Sequence, residues 1–104
     1  MSLLPSSNYY AVIFSSTKSD DLEGYEEMDD ITMDLAQKQQ GFLGYESVNL
    51  NNKGIFISYW QTKEDIANWR KNATHLMAKD KAKKWYKRYL SQICLVENSH
   101  EFNS

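Results

Sequence analysis

The sequence predicts one α+β domain with the element order β-α-β-β-α-β, and three observations lead to this prediction. The chain has 104 residues, which suits one domain at a usual scale of about 100–200 residues. Short runs rich in β-branched and aromatic residues, typical of strands, alternate with two longer amphipathic stretches, typical of helices. Junctions rich in Gly, Asn and Ser separate these segments, as turns require.

The first two elements are predicted to be a strand and a long helix. Residues 9–14 form an apolar run that ends in the polar residues 15–19, which indicates a first strand. From Asp20 to Gln40, apolar residues recur at three- and four-residue steps while acids fill the opposite face, which indicates an amphipathic helix. Gly41 then follows as a stop signal.

The second half of the chain predicts a hairpin, a helix and a last strand. Residues 42–50 and 55–61 are the hairpin strands, because the Asn-Asn-Lys-Gly turn between them tolerates positive φ. Thr62 is placed to cap a second helix, and Asn72 is a point at which this helix is expected to break into two pieces. A last strand is expected over Tyr89 to Val96. Residues 1–7 and 100–104 are expected to be terminal tails.

This order is that of ferredoxin-like domains, in which four antiparallel strands carry both helices on one face. The free face of such a sheet is usually polar. Here the side chains on both faces of the predicted sheet are apolar: Ile13 alternates with Val12, and Ile57 alternates with Phe56. A second copy would cover the free face most economically, so the pattern predicts a homodimer. The alternative is a monomer in which sheet curvature and the tail hide part of this face.

Charge and composition exclude several classes of protein. The net charge is −2, which gives no global attraction to nucleic acid or to anionic membranes. Residues 1–50 carry −7 and residues 51–104 carry +5, so the halves should neutralise each other, and the basic cluster over 79–88 should pair with the acids of the first helix. Cys94 is the single cysteine, which excludes an internal disulfide and fits a reducing cytoplasm. The sequence has no apolar run of signal-peptide or membrane-span length.

Several short motifs stand in an order and spacing that are specific when taken together. They are Tyr10–Ser16, Gly41–Ser47, Ser58–Trp60, Ala67, Trp69-Arg70, His75, Ala78, Trp85-Tyr86, Tyr89 and Val96-Glu97. Over about residues 9–102, this series resembles the antibiotic biosynthesis monooxygenase (ABM) domain family. The resemblance implies a dimeric α+β barrel, in which two ferredoxin-like sheets pack face to face, with a pocket between sheet and helices in each subunit.

The same resemblance implies two activities, and a third function of a different class stands beside them. Some members oxygenate phenolic or quinol-like polycyclic compounds with O₂ and no cofactor, which is the function we expect here. Others bind and open haem, and their haem site uses an Asn near the end of strand one, a Trp on the second helix and a His about ten residues further. Only Trp69 matches, because strand one lacks the Asn and Lys79 stands at the His position, although His75 could ligate iron. A third alternative is a non-enzymatic dimeric domain that binds a small ligand.

Five residues are candidates for the site. His75 is the candidate catalytic base, because an imidazole pKa near 6.5 suits removal of a phenolic proton near neutral pH. Trp60 and Trp69 are candidate aromatic walls for a planar substrate, and Tyr25 and Tyr86 could orient a substrate oxygen. Each has a structural alternative: a packing histidine, core tryptophans, and tyrosines whose hydroxyls reach solvent. The acids of the first helix lack neighbouring histidines, so no metal site is expected.

Overall fold

The computed structural model describes residues 4–76 and 83–104, with the side chains of 73–76 outside that description. The elements are β1 (Tyr9–Lys18), α1 (Tyr25–Gln37), β2 (Phe42–Leu50), β3 (Lys53–Trp60), α2 (Lys63–Leu76) and β4 (Tyr86–Val96). The strands form one antiparallel sheet in the order β2-β3-β1-β4. The predicted ferredoxin-like βαββαβ order is thus confirmed, and β2 has the predicted limits.

The central strand β1 is four residues longer than predicted. Its polar end stays in the sheet because it is paired on both sides: Ser15 lies opposite Ile55 of β3 and Leu90 of β4. Two complete ladders of backbone hydrogen bonds outweigh the weak strand preference of a serine-rich run. The last strand likewise begins at Tyr86, three residues before the predicted start.

The register between β1 and β4 shifts by one residue at the far end of this ladder. Thr17 lies opposite Arg88, but Lys18 lies opposite Tyr86, so Lys87 is the extra residue of a bulge. Because side chains alternate along a strand, a shift of one residue moves the following side chain to the other face. Tyr86 therefore lies on the same face of the sheet as Lys18.

The hairpin turn and the start of α2 have the local structure that the sequence predicts. Asn51 takes a positive φ of 57° in the turn between β2 and β3. The Asp65 amide donates to Thr62 Oγ1 at 3.1 Å, as expected of a cap. The predicted break at Asn72 is wrong, because α2 continues to Leu76. Asn72 Nδ2 donates to Gln39 Oε1 at 3.3 Å, so its amide is directed outward and does not compete for the helix backbone.

Helix α1 is shorter at both ends than the predicted Asp20 to Gln40. Gly24, at the N-terminal boundary, has a φ of 81°, and the residues before it form a loop. Two acids of this loop, Asp21 and Glu23, lie 3.6 and 3.8 Å from Lys84 Nζ. The acidic first half and the basic second half therefore meet here, in the loop before the helix.

The close-packed core lies where α2 crosses the sheet. Val12, Trp60 and Ile66 are buried to 4%, 0% and 1% exposure. Phe42 packs against them, with its ring centroid 5.4 Å from that of Trp60. The Trp60 indole donates to Ser58 Oγ at 2.9 Å, so this buried polar group is satisfied.

The face of the sheet away from the helices, here called the open face, is apolar and largely exposed. Val48, Leu50 and Ile55 are 69%, 74% and 51% exposed, and the register places them on the same face as Ile57. At the other end of this face Tyr9 is only 3% exposed, because the terminal segments lie beside it, with the Ser99 amide donating to the Ser6 carbonyl at 2.8 Å. The tails thus cover only part of the open face.

Within residues 4–76 and 83–104, neither helix is long and apolar enough to cross a membrane.

Candidate functional site

A cavity of about 600 Å³ lies between α1 and the helix-facing side of the sheet. Its floor combines Phe14 and Phe56, which are paired in the register, with small side chains from all four strands. The small residues are Ser16 of β1, Ser47 of β2, Gly54 and Ser58 of β3, and Ser91 of β4. These small residues leave space beneath α1 that the two phenylalanines do not fill.

Rigid aromatic rings form one wall of the cavity. Trp85 is 2% exposed, and its indole donates to the Glu23 carbonyl at 2.9 Å. Tyr25 packs edge-on against Trp85, with ring centroids 5.7 Å apart, and edge-on against Tyr86 at 6.0 Å. Phe14 completes this cluster at 5.4 Å from Tyr86. Such interlocked rings present a fixed apolar surface to anything in the cavity.

Three of the five predicted site residues line this cavity. They are Tyr25 on α1, Trp69 on α2 and Tyr86 at the start of β4. Tyr86 reaches the cavity because of the bulge at Lys87, which sequence periodicity alone does not reveal.

Trp60 does not line the cavity, contrary to the expectation that it forms a wall. Its side chain has 0% exposure and lies in the core beneath Trp69, with ring centroids 5.4 Å apart. It therefore supports the wall that Trp69 forms. His75 lies in the last turn of α2, and its side chain is outside the described part of the structure.

The structure adds a polar end to the cavity, which sequence reasoning missed. Lys18 Nζ donates to Asn49 Oδ1 at 2.9 Å and lies 5.3 Å from the ring centroid of Tyr25. Asp29 of α1 lines the same space. The signal for Lys18 was present, since it continues the parity of Phe14 and Ser16, but the strand was predicted to end before it.

Burial raises the pKa of three ionisable groups at this end of the cavity, Asp29, Tyr25 and Tyr86. Desolvation raises the pKa of Asp29, and the nearby charge of Asp30 raises it further, while Lys18 acts in the opposite direction. Desolvation also raises the pKa of Tyr86, and its hydrogen bond to Tyr25 adds to the increase. The pKa of Tyr25 is raised by burial too, although the hydrogen bond with Tyr86 opposes this. Both phenols therefore stay protonated at neutral pH, as hydrogen-bonding groups and not bases.

Haem iron is held by His, Cys, Met or Tyr side chains. The described residues of the cavity wall include no histidine or cysteine, but they include Met28, Met33, Tyr25 and Tyr86. Cys94 lies on the opposite parity of β4, in register with Ala11. Among the residues described, no three His, Cys, Asp or Glu side chains come together as a metal site.

A comparison with known protein families identifies the family of this chain. The family described as Monooxygenase af470-like matches residues 16–101, and the chain belongs to this family. A relative along almost the whole chain is YqjZ, an uncharacterized protein of Bacillus subtilis (strain 168). The two are 40% identical, over 98% of this chain and 91% of YqjZ.

Solved structures share the fold at low sequence identity. SnoaB, a cofactor-independent oxygenase from Streptomyces nogalater, has a TM-score of 0.73 at 10% identity, over 89% of this chain and 97% of SnoaB. A Nitrosomonas europaea protein provisionally assigned to the antibiotic biosynthesis monooxygenases has a TM-score of 0.72 at 15% identity, over 89% and 94%. Together with the family match, these neighbours confirm the predicted relationship to ABM domains.

Proposed function

We propose that the protein is a cofactor-independent monooxygenase that acts on a small phenolic or quinol-like aromatic compound in the cavity between α1 and the sheet. The observation that carries this proposal is the cavity itself. Its volume of about 600 Å³ lies within the ~300–1,000 Å³ of small-molecule sites. It combines an aromatic wall with a few polar groups, the combination that binds and orients a planar, partly polar ligand.

The reaction replaces one ring C–H bond by C=O. The substrate first loses its phenolic proton, and the electron-rich anion then gives electrons to O₂. One oxygen atom forms the new C=O group and the other leaves as water, so a phenol and O₂ give a quinone and water. The substrate loses four electrons and O₂ gains four, which balances without an external reductant.

The protein's contribution is to bind, orient and deprotonate the substrate. Trp69 would stack on the substrate plane, and Tyr25 and Tyr86 would hydrogen-bond its oxygens. His75 is our proposed base, since α2 carries both His75 and Trp69. The surrounding rings would exclude water, which strengthens each polar contact in the site.

We further propose that the protein works as a homodimer in the cytoplasm. Three open-face side chains of β2 and β3 are at least half exposed, and pairing the open faces of two copies would remove them from water. At about 25 cal/mol per Å² of apolar surface, this burial favours association strongly. The single cysteine supports the assignment to a reducing compartment.

An oxygen electrode tests the proposed chemistry. Purified protein is mixed with 1-naphthols and anthrones, which carry a C–H bond at the position to be oxygenated, in the presence of a metal chelator. We expect O₂ uptake above the spontaneous rate, with one O₂ consumed per quinone formed and no hydrogen peroxide released. If the protein accelerates none of these oxidations, the proposed reaction is wrong.

A hemin titration tests the haem alternative in the same preparation. If hemin gives a saturable Soret shift that His75→Ala abolishes, while the naphthols and anthrones remain unoxidised, the haem function replaces our proposal.

A further inference from the structure

We infer that Lys18 and Asn49 form an oxyanion subsite, so that the substrate binds as an anion with its ionised oxygen against the Lys18 ammonium. This inference rests on the proposed function and narrows the substrate class to acidic phenols and enols. It also assigns an orientation, with the ionised oxygen at the polar end of the cavity and the rings toward Trp69.

The position of Lys18 is fixed by the fold. It is the last residue of β1, and the register shift opposite β4 places Tyr86 across from it. Its amide donates to the Asn52 carbonyl at 2.7 Å, which anchors the backbone. The side chain lines the cavity, on the same face as Ser16.

The ammonium group has donor capacity to spare. A lysine ammonium carries three N–H donors, and Asn49 Oδ1 accepts one of them at 2.9 Å. The face of Tyr25 lies 5.3 Å away and stabilises the charge through a cation–π contact. An anionic oxygen in the cavity would provide the acceptor that the remaining N–H groups can use.

Because Gly54 has no side chain, space remains for the side chains of Asn49 and Lys18. A Cβ at Gly54 would lie 2.6 Å from Asn49 Oδ1 and 3.6 Å from Lys18 Nζ. The first distance is too short for two non-bonded atoms, so any larger residue would displace the Asn49 amide. Gly54 is thus a positioning residue for the subsite, although it provides no polar group itself.

Asp29 limits which anions the cavity can bind. Its carboxyl group lines the same cavity, and the charge of Lys18 lowers its pKa against the larger effect of burial. Asp30 and Asp34 line the cavity too. Since Lys18 is the one cation among the described lining residues, these carboxyl groups disfavour any anion that does not reach Lys18.

Binding of 4-nitrophenol tests the subsite without requiring turnover. The phenolate of this probe absorbs visible light and the neutral phenol does not, so absorbance reports which form is bound. We expect wild-type protein to lower the pKa of the bound probe by about one unit or more, because tenfold tighter binding of the anion corresponds to one pKa unit. Lys18→Met should abolish this shift and weaken phenolate binding by about 10-fold or more.

Two further variants separate the effect of Lys18 from that of Asn49 and from a general loss of positive charge. Gly54→Ala retains the lysine but disturbs Asn49, and should weaken phenolate binding by a smaller factor than Lys18→Met. Lys71→Met removes a charge from the exposed surface of α2 and should change nothing. Circular dichroism melts show that each variant is folded, and if Lys18→Met is not, Lys18→Gln and Gly54→Ala decide the question.

The subsite is wrong if wild type binds no probe at millimolar concentration, if it binds the neutral phenol equally well, or if Lys18→Met matches Lys71→Met. Failure of the proposed function would look different: the probe pKa would fall in wild type and recover in Lys18→Met, but no naphthol or anthrone would be oxygenated.

Discussion

The two ends of the helix-covered sheet face differ in how closely a helix packs on them. At one end α2 presses Ile66 onto Val12 and Trp60, which are almost fully buried. At the other end α1 lies above a floor in which serines and one glycine surround Phe14 and Phe56, and a cavity remains. The same four strands thus provide a core and a site. Small residues at several helix-facing positions contribute to this difference, because interiors otherwise fill to close packing.

The largest expected effect is on turnover in the cavity between α1 and the sheet. His75→Ala should lower the rate of naphthol or anthrone oxygenation by about 10²–10⁴-fold, the usual contribution of a general base. Oxygen uptake at saturating substrate measures it, and Lys71→Met serves as a helix-surface control. Equal rates in wild type and His75→Ala would remove His75 from the reaction and leave the carboxyl groups that line the cavity, those of Asp29, Asp30 and Asp34, as candidates for the base.

The close-packed end should dominate stability. Trp60→Ala should cost about 3–5 kcal/mol of unfolding free energy, because it empties a fully buried site. Trp69→Ala should cost less, since Trp69 borders a cavity that already exists, but it should weaken aromatic ligand binding. Urea unfolding of both variants measures the difference. If Trp69→Ala is the more destabilising change, the distinction between the two ends fails.

The open face provides a third region for comparison, apolar like the core but exposed. Ile57→Lys should dissociate or unfold the protein, because an unpaired buried charge costs several kcal/mol. Light scattering should report about 24 kDa for wild type, twice the chain mass of 12.2 kDa. Asn68→Lys, on the exposed surface of α2, is the control. A wild-type monomer, or a dimer that tolerates Ile57→Lys, would contradict the pairing of open faces.

The smallest expected effect is the dependence of stability on alkaline pH. Burial raises the pKa of Tyr59 to about 12, with the hydrogen bond to Glu46 adding to the shift, against an ordinary value near 10. Between these values the unfolded chain releases a proton that the folded chain keeps, so stability present below about pH 10 is lost as pH rises toward 12. Urea unfolding at about pH 9 and pH 11 should show the loss, and Tyr59→Phe should reduce it. An unchanged slope in Tyr59→Phe would assign the effect to other tyrosines.

The sequence was sufficient for the element order, because hydrophobic periodicity and turn residues are local signals. It was not sufficient for the end of β1, where a polar run stays extended only because two strands pair with it. That error hid Lys18 and the polar end of the cavity. Trp60 and Trp69 looked equivalent in sequence, and only the sheet register and helix packing place one in the core and the other at the cavity.

The indole N–H signals of the three tryptophans test the central claim most directly. Trp60 reports the close-packed end, and Trp69 and Trp85 report the cavity wall. In a ¹⁵N–¹H correlation spectrum titrated with 1-naphthol, we expect saturable shifts of Trp69 and Trp85 that exceed the shift of Trp60. If Trp60 moves most, or if none of the three moves, the cavity between α1 and the sheet is not the aromatic binding site.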